Sequence, residues 1–169
     1  MDTGTVMQKK KPQHTSVSHQ YPSLLRRLGA WLYDTLIVSA ILIIAGAVAM
    51  AIVAALLAIG ILSLGDYQDA SDYLMSNPTA SMLYSAYLAI VIIGFYSYFW
   101  TQAGQTLGMR AWKLKLQNED GSPIKITQAL IRIATSAFGL GNLLAFNNTR
   151  RSMQDIMAEC EMVVTEKVH

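Results

Sequence analysis

The stretch DTLIVSAILIIAGAVAMAIVAALLAIGILSLGD, residues 34–66, has an aspartate at each end and no charge between them. A second uncharged stretch runs from Asp72 to Arg110. Each exceeds the roughly 20 residues needed to cross a hydrocarbon core, so two transmembrane helices are expected, over 24–64 and 78–103. Composition agrees, because the 169-residue chain is 53% hydrophobic and 14% charged, whereas soluble domains carry about 25% charged residues. Residues 1–23 are polar and the apolar run from Leu28 to Leu64 is far longer than the core of a signal peptide, so that run reads as an anchor. The single cysteine, Cys160, excludes an intrachain disulfide.

Positive charge is placed asymmetrically. Lysines and arginines stand at 9, 10, 11, 26 and 27, then next at Arg110, Lys113, Lys115 and Lys125, while the intervening loop carries Asp66, Asp69 and Asp72. The positive-inside rule puts the N-terminus and the 104–126 region in the cytoplasm and the acidic loop outside. Residues 1–21 lack apolar periodicity and read as a disordered cytoplasmic tail. Trp31 and Tyr33, with Tyr96, Tyr98, Phe99 and Trp100, suit an aromatic belt at the cytoplasmic interface.

The second span has a readable start, since Asn77 offers a capping side chain and Pro78 fits the first helical position. The first is rich in small residues, among them Ala45, Gly46, Ala47, Ala51, Ala54 and Ala58. Such residues predict close helix packing within the chain or against a second copy. Trp112, Leu114 and Leu116 alternate with Lys113, Lys115 and Gln117 before Asp120-Gly121, then Ile124-Lys125-Ile126 follows, so a cytoplasmic β-hairpin is expected over 110–126. Residues 127–146 form a third apolar segment interrupted by Arg132, Gly139 and Gly141. It either spans or re-enters, and re-entry is preferred because a third crossing would put Arg150 and Arg151 outside, and because the final apolar run, Met162 to Val164, needs a β partner and the only candidate hairpin is cytoplasmic. A short amphipathic helix and strand complete the chain over 150–165. The fold class is therefore an all-α integral membrane protein with two long spans, a third helical apolar segment and a small hairpin.

An ionisable residue within an apolar segment is a functional candidate by default. Asp34 lies two helical turns after Arg27 on nearly the same face, and Arg132 is a plausible partner for it across the helices. Asp34 either titrates or binds a cation, or it pairs with an arginine and only holds helix position. Ser152, three residues before Asp155, fits a capping box, so Asp155 has a structural reading at a helix start. Arg151, four residues before Asp155, adds a candidate surface pair.

Three motifs resemble those of the RDD family of membrane proteins. The first is Arg26-Arg27-Leu28-Gly29-Ala30-Trp31-Leu32-Tyr33-Asp34, the second Gly104-Gln105-Thr106-Leu107-Gly108, and the third Arg150-Arg151-Ser152-Met153-Gln154-Asp155. The resemblance covers about residues 22–165 and supplies the family arginine, Arg27, and its two aspartates, Asp34 and Asp155. Met109 departs from a common lysine, and Glu159-Cys160 stands where a Gly-Thr pair is usual. The resemblance implies a bacterial inner-membrane protein with a suggested role in ion transport, or a module in larger membrane assemblies.

Catalytic and metal-binding constellations are missing from the sequence. His14 and His19 lie in the tail, His169 is the last residue, and no P-loop or dinucleotide fingerprint occurs. An enzyme, a cofactor, a metal and a nucleic-acid partner are not expected. Two functions remain. One is a cation- or proton-coupled transporter acting as an oligomer, with Asp34 on the ion path and Arg27, Arg132 and Arg151 as charge partners. The other is a non-transporting adaptor that assembles or stabilises another membrane protein.

Overall fold

The computed structural model describes residues 21–136 and 152–165. The tail up to residue 20, residues 137–146 of the third apolar segment, and Arg150 and Arg151 lie outside the described residues.

Two long helices dominate, α1 over Leu24–Ala58 and α3 over Pro78–Gln102. At 1.5 Å per residue α1 is about 52 Å long and α3 about 37 Å, both longer than a hydrocarbon core of about 30 Å. α1 stops six residues earlier than expected. Gly60 takes a left-handed conformation (φ 75°), and the N–H groups of Gly60 and Ile61 bond back to the carbonyls of Leu57 and Leu56, which closes the helix end. The acidic loop holds a short helix, α2 (Ala70–Ser76), whose start is capped by the Asp69 carboxylate accepting from Asp72 N–H at 2.9 Å. Asn77 caps α3 as expected, accepting from the N–H groups of Thr79 and Ala80 at 3.1 and 3.0 Å, with Pro78 behind it.

Past α3 the chain turns through Gly104 into α4 (Leu107–Ala111), and then β1 (Leu114–Gln117). The alternation over 112–117 does make a strand, but the expected hairpin over 110–126 does not form. Asn118, Asp120 and Ser122 close the Asp120-Gly121 turn on itself, with Ser122 N–H on the Asp120 carboxylate at 2.9 Å and the Asn118 side chain on Pro123 O at 3.0 Å. Ile124 then turns into the core at 3% exposure, and Lys125 N–H meets the Gln128 side chain to start α5 (Ile126–Thr135). The partner of β1 comes from the far end of the described chain. β2 (Glu161–Val164) pairs antiparallel with it, Leu114 opposite Val164 and Gln117 opposite Glu161, after the short helix α6 (Met153–Met157).

The packed core sits at this end. Ala30, Trp100, Met109, Leu114, Leu116, Ile124, Ala129, Ala158, Cys160 and Met162 form one buried cluster. The rest of α1 and α3 is apolar and outward facing, with 6% of each apolar window buried. Within the small-residue run of α1, Ala45 is buried and Gly46 lies against the Tyr84 hydroxyl of α3, so part of that run packs inside the chain.

Candidate functional site: a buried cluster of two arginines and two aspartates

The buried residues of α1 are Arg27, Ala30, Asp34, Val38 and Ala45. Their spacing of three, four, four and seven traces one stripe of a helix. The first three turns of α1 therefore aim an arginine and an aspartate at α4, α5 and α6.

Asp155 is the hub of one half of the cluster. Its Oδ2 accepts from Arg27 Nη1 at 2.8 Å and from the N–H of Ser152 at 3.0 Å, while Oδ1 accepts from Arg132 Nη1. The Asp155 N–H bonds in turn to the Ser152 hydroxyl at 3.3 Å, so the capping box read from the sequence is present. One carboxylate thus caps α6 and joins it to α1 and α5. Burial works to raise the Asp155 carboxyl pKa, but the guanidiniums of Arg132 and Arg27 prevail and hold it well below the ordinary carboxylate range. For Arg132 burial opposes the charge, but the Asp155 carboxylate and the Cys160 sulfur beside it together outweigh burial and raise its pKa.

Asp34 makes the other half. Its Oδ2 accepts from the Thr106 hydroxyl and its Oδ1 from the Gly108 N–H at 2.8 Å. Thr106 Oγ1 also accepts from Met109 N–H at 3.2 Å, capping α4. A single aspartate on α1 therefore holds the start of α4, as Asp155 holds α5. Gly108 is required by this approach, because a Cβ there would stand 2.3 Å from the carbonyl oxygen of Ala30 and 2.8 Å from the Asp34 carboxylate. The other glycine of the motif, Gly104, has φ 65° and no room for a Cβ beside the carbonyl of Leu116. The turn leaving the membrane helix is thus a close backbone contact as well as a change of direction.

Two expectations need correction. Arg132 does not pair with Asp34. It reaches Asp155 and the Cys160 sulfur, with its guanidinium 5.3 Å from the Trp100 ring centroid. α5 approaches the α3 side of the bundle, whereas Asp34 faces α4, so the two are aimed at different neighbours. Trp100 is not a lipid-facing belt residue, being 7% exposed beneath Arg132. Trp31, Tyr33 and Tyr98 are exposed, as a belt requires. The candidate pair between Arg151 and Asp155 lies outside the described residues.

Sequence reasoning missed Gln128, and gave Thr106, inside the second motif, no role of its own. Gln128 caps α5 and donates to the Asn118 side chain at 2.8 Å and to the Ala158 carbonyl at 3.0 Å, tying the turn after β1 to the turn before β2. A polar residue three positions after Lys125 was the available signal for the cap; nothing local pointed to the contact with Ala158.

A model of the RDD family matches residues 21–159, which include both long helices and all four charged residues of the cluster. The chain belongs to the RDD family. No curated protein and no solved structure matches it. As an RDD protein with two helices long and apolar enough to cross a membrane, it is an integral membrane protein whose spans contact the lipid bilayer. Arg27 and Asp155, which the resemblance reads as the family arginine and second aspartate, meet directly, while Asp34 makes a separate contact two steps along the same stripe. Glu159, where the resemblance expects a glycine, adopts φ 49°. The backbone at this position is one that glycine takes without strain and glutamate does not.

Proposed function

We propose that this RDD protein is a non-transporting membrane adaptor, a rigid module that assembles or stabilises another membrane protein and catalyses no reaction. The observation that carries this reading is the occupancy of the carboxylates. All four oxygens of Asp34 and Asp155 accept hydrogen bonds from donors on other turns or other elements of the chain. A cation drawn to either aspartate would compete with bonds that join α1 to α4, α5 or α6. Two arginines beside Asp155 also oppose a cation electrostatically.

The client-facing surface under this reading is the outer side of α1, where Ala47, Ala51, Ala54 and Ala58 are exposed at helical spacing. Small side chains there permit close approach of a second transmembrane helix. The orientation we propose has the charged end in the cytoplasm of a bacterial cell and the acidic 66–72 loop on the far side of the inner membrane, in keeping with the charge asymmetry. The pairing of β1 with β2 and of Arg27 with Asp155 supports a C-terminal end on the same side as the start of α1, so that no net crossing occurs between the two strands.

The test is Asp34→Asn, assayed for abundance and for cation-dependent proton flux in everted vesicles. The adaptor reading expects lowered abundance and disturbed assembly, with no flux above the vector control for wild type. Wild-type flux that vanishes in the variant at normal abundance would replace this reading with ion-coupled transport.

A further inference from the structure

Helix α5 is built the wrong way round for a water-facing helix. Its inward side carries Ala129 and Arg132, both 0% exposed, with Gln128 and Ile133 half-buried beside them. Its outward side is Ile126, Thr127, Leu130, Ile131 and Ala134, where Ile126, Leu130 and Ile131 are 53%, 44% and 43% exposed and no charge occurs. An ordinary amphipathic helix of a soluble protein buries its apolar stripe and turns its arginine outward. The inverted pattern suits a surround that is apolar and a protein interior that is charged.

The position of α5 says which surround this is. Arg132 stacks over Trp100, two residues before the end of α3, and Ile133 packs against the cluster that contains Trp100. α5 is therefore packed by its inward face beside the last turn of a membrane span, close to where Tyr98 of that span is 64% exposed, and its outward face points away from the protein at that level. With ten residues, about 15 Å, α5 is half the length needed to cross. We infer that α5 is an in-plane interfacial helix that seats Ile126, Leu130 and Ile131 in the boundary between headgroups and acyl chains, with Arg132 held on its protein side. Such seating requires buried apolar area on one face of a short helix, and here the charge of Arg132 on the opposite face is met by the Asp155 carboxylate. The inference is independent of whether the chain docks a client or carries ions.

The test uses the full chain in phosphatidylcholine–phosphatidylglycerol nanodiscs, with nitroxide labels at Ile126→Cys and Leu130→Cys. Accessibility to oxygen and to a water-soluble nickel chelate is compared with a lipid reference, Ile44→Cys on the exposed side of α1, and a water reference, Asp66→Cys. Native Cys160 is fully buried, and the absence of labelling in the wild type is the control for leaving it in place. Oxygen-to-nickel ratios at 126 and 130 several-fold above the Asp66 value, approaching that of Ile44, are expected. Nickel accessibility equal to that of Asp66 would place the face in water and overturn the inference. So would immobilised labels reached by neither reagent, which would mean that protein covers it. Two separate positions guard against one label disturbing the fold.

Discussion

The two ends of α1 obey opposite rules. From Val48 to Ala58 the helix shows apolar side chains outward, with Val48 and Ile52 about half exposed, and nothing charged is present. From Leu24 to Asp34 it hides an arginine and an aspartate at 2% and 4% exposure, while Leu25 and Leu32 stay exposed at 77% and 59%. In lipid there is little gained by bringing apolar surfaces together, because hydrocarbon is already their solvent. Charged groups at that boundary have no comparable solvent unless the protein supplies it. The membrane half is therefore held by modest helix packing, and the charged end in addition by polar contacts in which the Asp34 and Asp155 carboxylates tie α1, α4, α5 and α6 together.

The largest break in that contrast is expected from Asp155→Asn. Removing one carboxylate takes away the buried charge that Arg27 and Arg132 share, at a cost of about 3–5 kcal/mol, to be read as a lost thermal transition in detergent or strongly reduced membrane abundance. Acid should approach the same state without a mutation. The folded Asp155 carboxyl lies below its ordinary value of 3.8, so its contribution is complete above that pH and is lost progressively as pH falls from there towards the depressed folded value. A pH series of thermal melts should be flat for this group near neutrality and fall on the acid side, and Asp155→Asn should remove that part of the fall.

Gly108→Ala is expected to rank next, at about 1–3 kcal/mol, since the new methyl meets the Ala30 backbone, which cannot give way, as well as the bonded Asp34 carboxylate. Protease susceptibility of the segment around α4 would report the separation of α4 from α1. Glu159→Gly should act in the other direction and stabilise by about 1 kcal/mol, by relieving a left-handed glutamate; an unchanged melting temperature would show that the surrounding turn already absorbs the strain. The smallest effect belongs to the membrane half. Ile44→Val, on a side chain 66% exposed, should shift stability by less than about 0.5 kcal/mol, and a larger shift would mean that this face of α1 is covered by something more specific than lipid.

Much of this was legible one element at a time. The two uncharged stretches marked the spans, Asn77-Pro78 marked the start of α3, and Ser152 with Asp155 marked the start of α6, because caps and apolar runs are local in sequence. The expected hairpin shows the limit. Alternation over 112–117 identifies a strand and not its partner, and the choice between Ile124–Ile126 and Met162–Val164 depends on where Ile124 is buried and on what Gln128 reaches. The same holds for Arg132, whose position in an apolar segment marked it as buried and paired, but whose partner was set by the side of α3 on which α5 lands.

What the amino-acid sequence determined by itself is the membrane character of the chain, the two long spans, and the presence of Arg27, Asp34 and Arg132 within or beside apolar segments, since each follows from transfer energies of individual residues and from short-range periodicity. Only the tertiary structure decided that Arg27 and Arg132 share Asp155, that Asp34 is held by Thr106 and Gly108, and that β1 pairs with β2 more than forty residues away. Charge complementarity is satisfied by any of several pairings of two arginines with two aspartates. The one that forms is selected by close backbone contacts, at Gly104 and Gly108 above all, that fix which elements can approach.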